Sequence, residues 1–110
     1  MTAFENIIKA IEEFGYPHCP DTYTGVSNRY FTYNYADDRG ALFADNTPQT
    51  TIASVQVHLV IPSEEDFTGI KDEVRKSLFR QGFTFPQITV LKEEKKRHII
   101  FECDIEESEE

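Results

Sequence analysis

The stretch Thr51–Pro62, with the sequence TIASVQVHLVIP, constrains the fold more than any other part of the chain. Its side chains alternate at a period of two, which is the spacing of one face of a β-strand. The residues on the predicted inward face are Thr51, Ala53, Val55, Val57, Leu59 and Ile61. Because the strand exceeds the usual length of about five or six residues, we expect it to lie in the middle of a sheet, with one face against a core.

Two segments have the spacing of amphipathic helices. Thr2–Phe14 begins with a Thr-x-x-Glu capping box and is followed by Gly15, which favours helix termination. A second helix is expected over Ser63–Gln81, where acidic residues come first and basic residues come last, as the helix dipole favours. The residues predicted to face the core are Phe4, Ile7, Ile8, Ile11 and Phe14 in the first helix and Phe67, Ile70, Val74 and Leu78 in the second.

Three further segments are predicted to be strands, namely Arg29–Tyr35, Gln87–Lys92 and Arg97–Ile105. Each alternates apolar or aromatic residues with others, and polar or glycine-containing segments border them. Between the first helix and the first of these strands, Tyr16–Asn28 contains two prolines within four residues. We expect this segment to be loop or extended chain, since proline is not tolerated inside a helix.

The predicted order of elements is α-β-β-α-β-β over a single domain of 110 residues, with residues 106–110 as a frayed acidic tail. This order predicts an α+β two-layer sandwich, in which a mainly antiparallel four-stranded sheet carries two helices on one face. The other sheet face mixes two kinds of residue: Tyr30, Ile52, Val60 and Ile100 with Thr32, Gln56, His58 and Glu102. A face of that composition is compatible with a partner subunit.

The segment Ala36–Thr50 is predicted to be a fifteen-residue connection between the two strands on either side of it. Loops of this length usually have a function or are disordered. Leu42 and Phe43 lie in its middle, with Asp45 and Asn46 beside them, which resembles an apolar anchor inside a polar rim. We therefore hypothesise that these four residues contact another subunit.

The net charge of −9 comes largely from the C-terminal residues, where five acidic side chains follow Cys103. An acidic balance disfavours binding to nucleic acid or to anionic membranes, because both require Lys and Arg to neutralise phosphates. No apolar run approaches the ~20 residues that span a bilayer. The N-terminus lacks the features of a signal peptide, so we expect a soluble cytosolic protein with reduced cysteines and no membrane association.

Candidate reactive groups do not form a recognisable motif. His18, Cys19, His98 and Cys103 lack the paired spacing of zinc ligands, and no Gly-x-Ser-x-Gly elbow or glycine-rich phosphate loop is present. We therefore expect no catalytic residue, no cofactor and no metal. One alternative is a small metal-dependent or hydrolytic enzyme that uses the carboxylates of Asp37 and Asp38 with His58, and another is an acidic module that binds a host protein.

Several segments resemble the small tail-terminator, or tail-completion, proteins of long-tailed bacteriophages and prophages. These segments are NRYFTYNY at residues 28–35, FADN at 43–46, SVQVHL at 54–59, QGFTFP at 81–86 and RHIIFECDIEE at 97–107. The resemblance covers nearly the whole chain. Its motifs belong to the fold and carry no catalytic residues.

This resemblance implies a structural protein of the virion, located at the head-proximal end of the tail and assembled in the bacterial cytoplasm. Such a protein forms a hexameric ring that stops polymerisation of the tail tube and offers a surface to the head connector. The implied partners are other copies of the chain, the tail-tube protein and the head-connector protein. DNA would pass through the ring without specific binding, and an acidic lining would keep its phosphates from adhering.

Overall fold

The computed structural model describes residues 2–44 and 47–107, with the backbone alone for residues 41–44 and 47–49. Its elements are α1 (Ala3–Ile11), a 3₁₀ turn (Glu12–Phe14), β1 (His18–Pro20), β2 (Tyr30–Ala44), β3 (Thr47–Pro62), α2 (Thr68–Arg80), β4 (Gln87–Lys92) and β5 (Lys96–Glu107). The predicted α+β class is therefore correct.

The sheet has five strands in the order β1-β2-β3-β5-β4, so the prediction of four strands is wrong. The additional strand β1 pairs in parallel with β2 and places His18 opposite Phe31. The other neighbouring strands are antiparallel. Pro17 precedes this short strand and Pro20 is its last residue. The Pro17 carbonyl still accepts a hydrogen bond from the Phe31 amide at 2.9 Å, because proline lacks only the donor.

The first helix follows the sequence prediction closely. Thr2 caps α1, its hydroxyl oxygen accepts from the Glu5 amide, and the Glu5 carboxylate accepts from the Thr2 amide, which completes the predicted capping box. The 3₁₀ turn extends this helix to Phe14. Gly15 then adopts a φ of +74°, a conformation that glycine reaches without steric cost.

The second helix starts later than predicted, at Thr68 instead of Ser63. Residues 63–65 form a turn, and the Asp66 carboxylate after it accepts from both the amide and the hydroxyl of Thr68, at 3.0 and 2.8 Å. These bonds lower the pKa of Asp66, because they favour its charged form. Aspartate competes for local backbone donors in this way, which holds the acidic segment outside the helix.

Both helices pack on one face of the sheet, as the sequence predicts. Ser77 of α2 donates to the Ala10 carbonyl of α1 at 2.6 Å, in the buried contact between the helices. The fully buried large side chains are Ile7, Ile11, Phe31, Val55, Val57, Leu59, Ile61, Val74, Leu78, Phe83, Ile99 and Phe101. The predicted inward face of β3 is confirmed from Ala53 to Ile61, and Cys103 lies in the same core.

Residues 36–44 and 47–50 belong to strands, so the prediction of a loop over Ala36–Thr50 is wrong for these residues. β2 continues to Ala44 and pairs with β3 through Phe43 opposite Pro48 and Ala44 opposite Thr47. A bulge between Tyr35 and Asp37 shifts the register once, and pairing then resumes. The sequence Asp-Asp-Arg-Gly has local turn chemistry, but β3 provides a paired alternative that local residue preferences do not reveal.

The predicted frayed tail is also partly wrong. β5 extends through Glu107, with Glu106 opposite Ile52 and Glu107 opposite Thr51. The rest of the predicted tail, residues 108–110, lies outside the described residues. Across the described ranges, neither helix combines the length and the hydrophobicity that crossing a lipid bilayer requires.

Candidate functional site

The β2–β3 hairpin extends beyond the other described strands of the sheet. Within the described residues, β5 pairs with β3 as far as Thr51, which lies opposite Gly40 of β2. Residues 40–44 and 47–51 therefore form a two-stranded ribbon, called here the hairpin arm. The molecule measures 54 × 25 × 24 Å, and its radius of gyration is 15.0 Å. A compact chain of this length would have a radius of roughly 13 Å, so the long hairpin makes the molecule elongated.

An ion-pair cluster around Arg39 lies where the hairpin arm leaves the sheet. The Arg39 guanidinium donates to Asp37 at 3.1 Å, to Ser54 at 2.9 Å and to Asp104 at 3.5 Å. These partners belong to β2, β3 and β5, so one side chain connects three strands. The ion pairs are about half exposed, and exposed pairs contribute little to global stability. We assign the cluster a role in orienting the arm.

Glu107 joins the same end of the sheet to the first helix. Its carboxylate accepts from the Ala3 amide and from the Tyr35 hydroxyl, both at 2.6 Å. Its carbonyl accepts from the hydroxyls of Thr50 and Thr51 at 3.0 and 3.2 Å. Burial and then the bond to Glu107 raise the pKa of Tyr35 to about 12, since both favour the neutral phenol.

Two of the four predicted subunit-contact residues lie in the hairpin arm. Leu42 and Phe43 belong to the arm section of β2, whose backbone is paired with β3. Asp45 and Asn46 lie outside the described residues. The prediction placed Leu42 and Phe43 in the middle of a loop, whereas they belong to a paired strand.

The sheet face opposite the helices, called here the open face, has the mixed composition that the sequence predicts. At its arm end, β5 places Glu102, Asp104 and Glu106 on this face at alternate positions. Their neighbours on β3 are Gln56, Ser54 and Ile52. Arg39 pairs with Asp104, the middle one of these three carboxylates, so the row as a whole gives this end of the open face a negative charge.

A hydrogen-bonded chain of side chains crosses the other end of the open face. Asn34 donates to Gln56 at 3.3 Å, and its carbonyl oxygen lies 3.0 Å from Nε2 of His58. His58 Nδ1 lies 2.7 Å from Nε2 of His98, whose other nitrogen is 3.6 Å from Glu93. Because an amide oxygen only accepts, Nε2 of His58 carries the proton and Nδ1 accepts from His98.

The residues of the alternative enzyme hypothesis do not converge. Asp37 lies opposite Ser54, and four residues along β3 separate Ser54 from His58, or about 13 Å of strand. Asp38 lies one step further from the histidine. The Asp37 carboxylate is instead bonded to Arg39.

The candidate metal ligands are also dispersed. His18 and Cys19 lie on the edge strand β1, Cys103 lies in the core and His98 lies on the open face. Within residues 2–44 and 47–107, no three His, Cys, Asp or Glu side chains are grouped closely enough to hold a metal ion. Cys19 and Cys103 are free thiols in this part of the chain, and burial raises the pKa of Cys103 to about 12.

Sequence reasoning missed two side-chain clusters. One is the His58–His98 pair, which depends on the register of β3 and β5. The other is a surface contact between Phe79 and Phe85, whose ring centroids are 5.7 Å apart. The sequence indicates that Phe79 is exposed, because it falls outside the buried stripe of α2. No sequence spacing indicates that Phe79 contacts Phe85 in the next connector.

No known protein-family model matches the chain, and no curated protein matches it.

Proposed function

We propose that this chain is a structural subunit of a phage virion, which caps the tail tube and joins it to the head connector. Six copies would close into a ring through head-to-tail contacts between different surfaces of neighbouring subunits. This role is inferred from the sequence resemblance to tail-terminator proteins. The chain would act by presenting surfaces to its own copies and to neighbouring virion proteins, without a catalytic step.

The hairpin arm is the observation that carries this proposal. A ribbon of two strands has little core of its own and is marginally stable at best in water, unless it packs on something else. Among the described residues, neither long edge of the arm pairs with a further strand, so both edges expose backbone donors and acceptors. Docking on a neighbouring subunit would stabilise such an arm most directly, and a ring would allow this contact.

The acidic end of the open face supports the second part of the proposal. If the open face lines the bore of the ring, Glu102, Asp104 and Glu106 would repel the phosphates of passing DNA. DNA would then pass without binding. The negative charge of this row comes from residues of the folded sheet, so the effect does not require residues 108–110.

Capping of tail tubes tests the proposed role. The purified chain is added to polymerising tail-tube protein, and negative-stain electron microscopy measures tube length and end structure. We expect short tubes with a ring at one end. The double variant Leu42→Ser/Phe43→Ser should leave tubes uncapped, whereas Val26→Ser, which changes a fully exposed valine elsewhere, should cap them normally. Tubes of unchanged length with the wild-type chain would overturn the proposal.

Charge reversal tests the DNA passage. Glu102→Lys/Glu106→Lys reverses two exposed carboxylates of the acidic row, and we expect slower DNA delivery from particles that contain this variant. Glu107 is unsuitable for this experiment because its carboxylate binds the start of α1. Glu12→Lys/Glu64→Lys, which reverses two exposed carboxylates outside the acidic row, is the control with the same change in net charge. Unchanged delivery with the double reversal would exclude an electrostatic role for the open face.

A further inference from the structure

Two large aromatic side chains are exposed side by side at the β4 edge of the molecule. Phe79 of α2 is 55% exposed, and Phe85 in the connector to β4 is 60% exposed. Their rings form an edge-to-face pair at 5.7 Å, and the Arg75 guanidinium lies 4.8 Å from the Phe85 centroid. Arg75, Phe79 and Phe85 are called here the aromatic patch. Adjacent exposed aromatics with a neighbouring arginine are typical of binding surfaces.

The helical side of the aromatic patch is basic, although the chain as a whole is acidic and Phe85 lies near Glu102 and Asp104 on its other side. α2 carries four basic and two acidic side chains, while the net charge of the chain is −9. Lys71, Arg75 and Phe79 are spaced by four residues and so form one row along the helix. A ligand for this surface should therefore combine apolar side chains with negative charge.

The nearby edge strand β4 is open to further contact. Within the described residues, β4 pairs with β5 alone, and Val90 and Leu91 are 37% and 45% exposed. Edge strands are usually protected by a bulge, a proline or charges along their length. β4 has a lysine only at its last position. The aromatic patch thus lies beside an edge that can accept a partner.

The hairpin arm has the properties that this surface requires. The sequence of residues 40–51 contains Leu42, Phe43 and Asp45, and the exposed Asp38 lies at the base of the arm, next to the ion pair of Asp37 with Arg39. We infer that the hairpin arm of one copy docks on the aromatic patch of the next copy. Apolar residues of the arm would cover Phe79 and Phe85, and its aspartates would lie near the basic row of α2.

The contact must be head-to-tail, because the arm and the aromatic patch are different surfaces. A symmetric contact of patch on patch would bring two basic rows together, which is unfavourable. This inference rests on the proposed function, since it names the surface that receives the arm within the ring. It adds the residues of that surface, none of which the sequence prediction included.

Sedimentation velocity of the full chain at low ionic strength, up to millimolar concentration, tests the inference. The arm variant Leu42→Ser/Phe43→Ser and the patch variant Phe79→Ser/Phe85→Ser each remove one half of the contact. We expect the wild type to form oligomers and each variant alone to be monomeric. A one-to-one mixture of the two variants should form a dimer and stop there, because such a pair retains one complete contact. Circular dichroism checks that both variants are folded.

Val26→Ser is the matched control, since it removes an exposed apolar side chain that belongs to neither surface. This variant should assemble like the wild type. Raising the salt concentration should weaken the wild-type oligomer, because opposite charges attract less when screened. A wild-type chain that stays monomeric, a folded variant that assembles normally alone, or a mixture that stays monomeric would each overturn the inference.

The outcome is distinguishable from that of the capping experiment. If the wild type assembles and the variant mixture stops at a dimer, but tail tubes are never capped, the arm contact stands and the proposed function fails. If wild-type rings cap the tubes and the patch variant caps equally well, the proposed function stands and the contact fails.

Discussion

His58 Nδ1 lies 2.7 Å from Nε2 of His98, although the two residues are 40 positions apart in the chain. The pairing of β3 with β5 brings them together, and Asn34 fixes the proton of His58 on its other nitrogen. A proton added to His58 would place two N–H groups against each other. The folded chain therefore favours a neutral His58.

The histidine pair predicts a loss of stability in mild acid. Burial, followed by the charge of the neighbouring His98, lowers the pKa of His58 in the folded chain. In the unfolded chain this pKa returns to about 6.5. The unfolded state then binds more protons, so the contribution of His58 is complete above about pH 6.5 and is lost as the pH falls through the folded pKa. Urea unfolding at a series of pH values measures this change.

The variant His58→Gln should flatten that dependence. The remaining titrating groups are common to the two chains and cancel in the comparison. Parallel curves for the wild type and His58→Gln would contradict the assignment.

Glu107 is predicted to stabilise the fold despite its position near the C-terminus. Glu107→Ala leaves the Ala3 amide, in a fully buried residue, without its carboxylate partner. A hydrogen bond to a charged group contributes about 1.5–3 kcal/mol, and we expect a loss in this range from the free energy of unfolding. The exposed neighbour Glu106→Ala should change it by less than about 0.5 kcal/mol. Equal effects in the two variants would show that the Glu107 contacts do not contribute.

The Glu107 carboxylate should also affect the pKa of Tyr35. Since burial contributes first and Glu107 second to the pKa of about 12, Glu107→Gln should lower this value only in part. Ultraviolet absorbance against pH, with Tyr35→Phe to identify the signal among five tyrosines, measures the change. An unchanged titration in Glu107→Gln would mean that the phenol and carboxylate are not bonded in solution.

Arg39 is predicted to control the orientation of the hairpin arm without supporting the whole fold. Arg39→Ala removes three contacts that are partly exposed, so global stability should change by less than about 1 kcal/mol. Amide hydrogen exchange near the base of the arm should nevertheless become faster, because local opening depends on local contacts. Arg29→Ala, which removes the ion pair with Glu65 near the opposite end of the sheet, serves as the control. Faster exchange only in the control would contradict this role.

Periodic segments of the sequence predicted most of the architecture. The alternation in Thr51–Pro62 located the central strand, and the capping box with Gly15 located the first helix. Both features are local and repeated, and burial against one core selects for them. The strand β1 has only three residues, which is too short to show an alternating pattern, so the sequence did not predict it.

Features that depend on distant partners were less predictable. The arm contains Asp-Asp-Arg-Gly, whose local preference is for a turn, and pairing with β3 overrides that preference. The aromatic patch joins Phe79 of a helix to Phe85 of a connector, and no spacing rule relates these positions. The sequence did locate the candidate contact residues Leu42 and Phe43, whose role stays a prediction.

Tail length in particles that lack this chain tests the central claim most directly. The coding gene is deleted from the genome that carries it, and electron microscopy measures any tails released on lysis. A subunit that caps the tail tube predicts tails of excessive and variable length, unattached to heads, with normal tails restored when the wild-type chain is supplied. Tails of normal length joined to heads in the deletion strain would contradict the account.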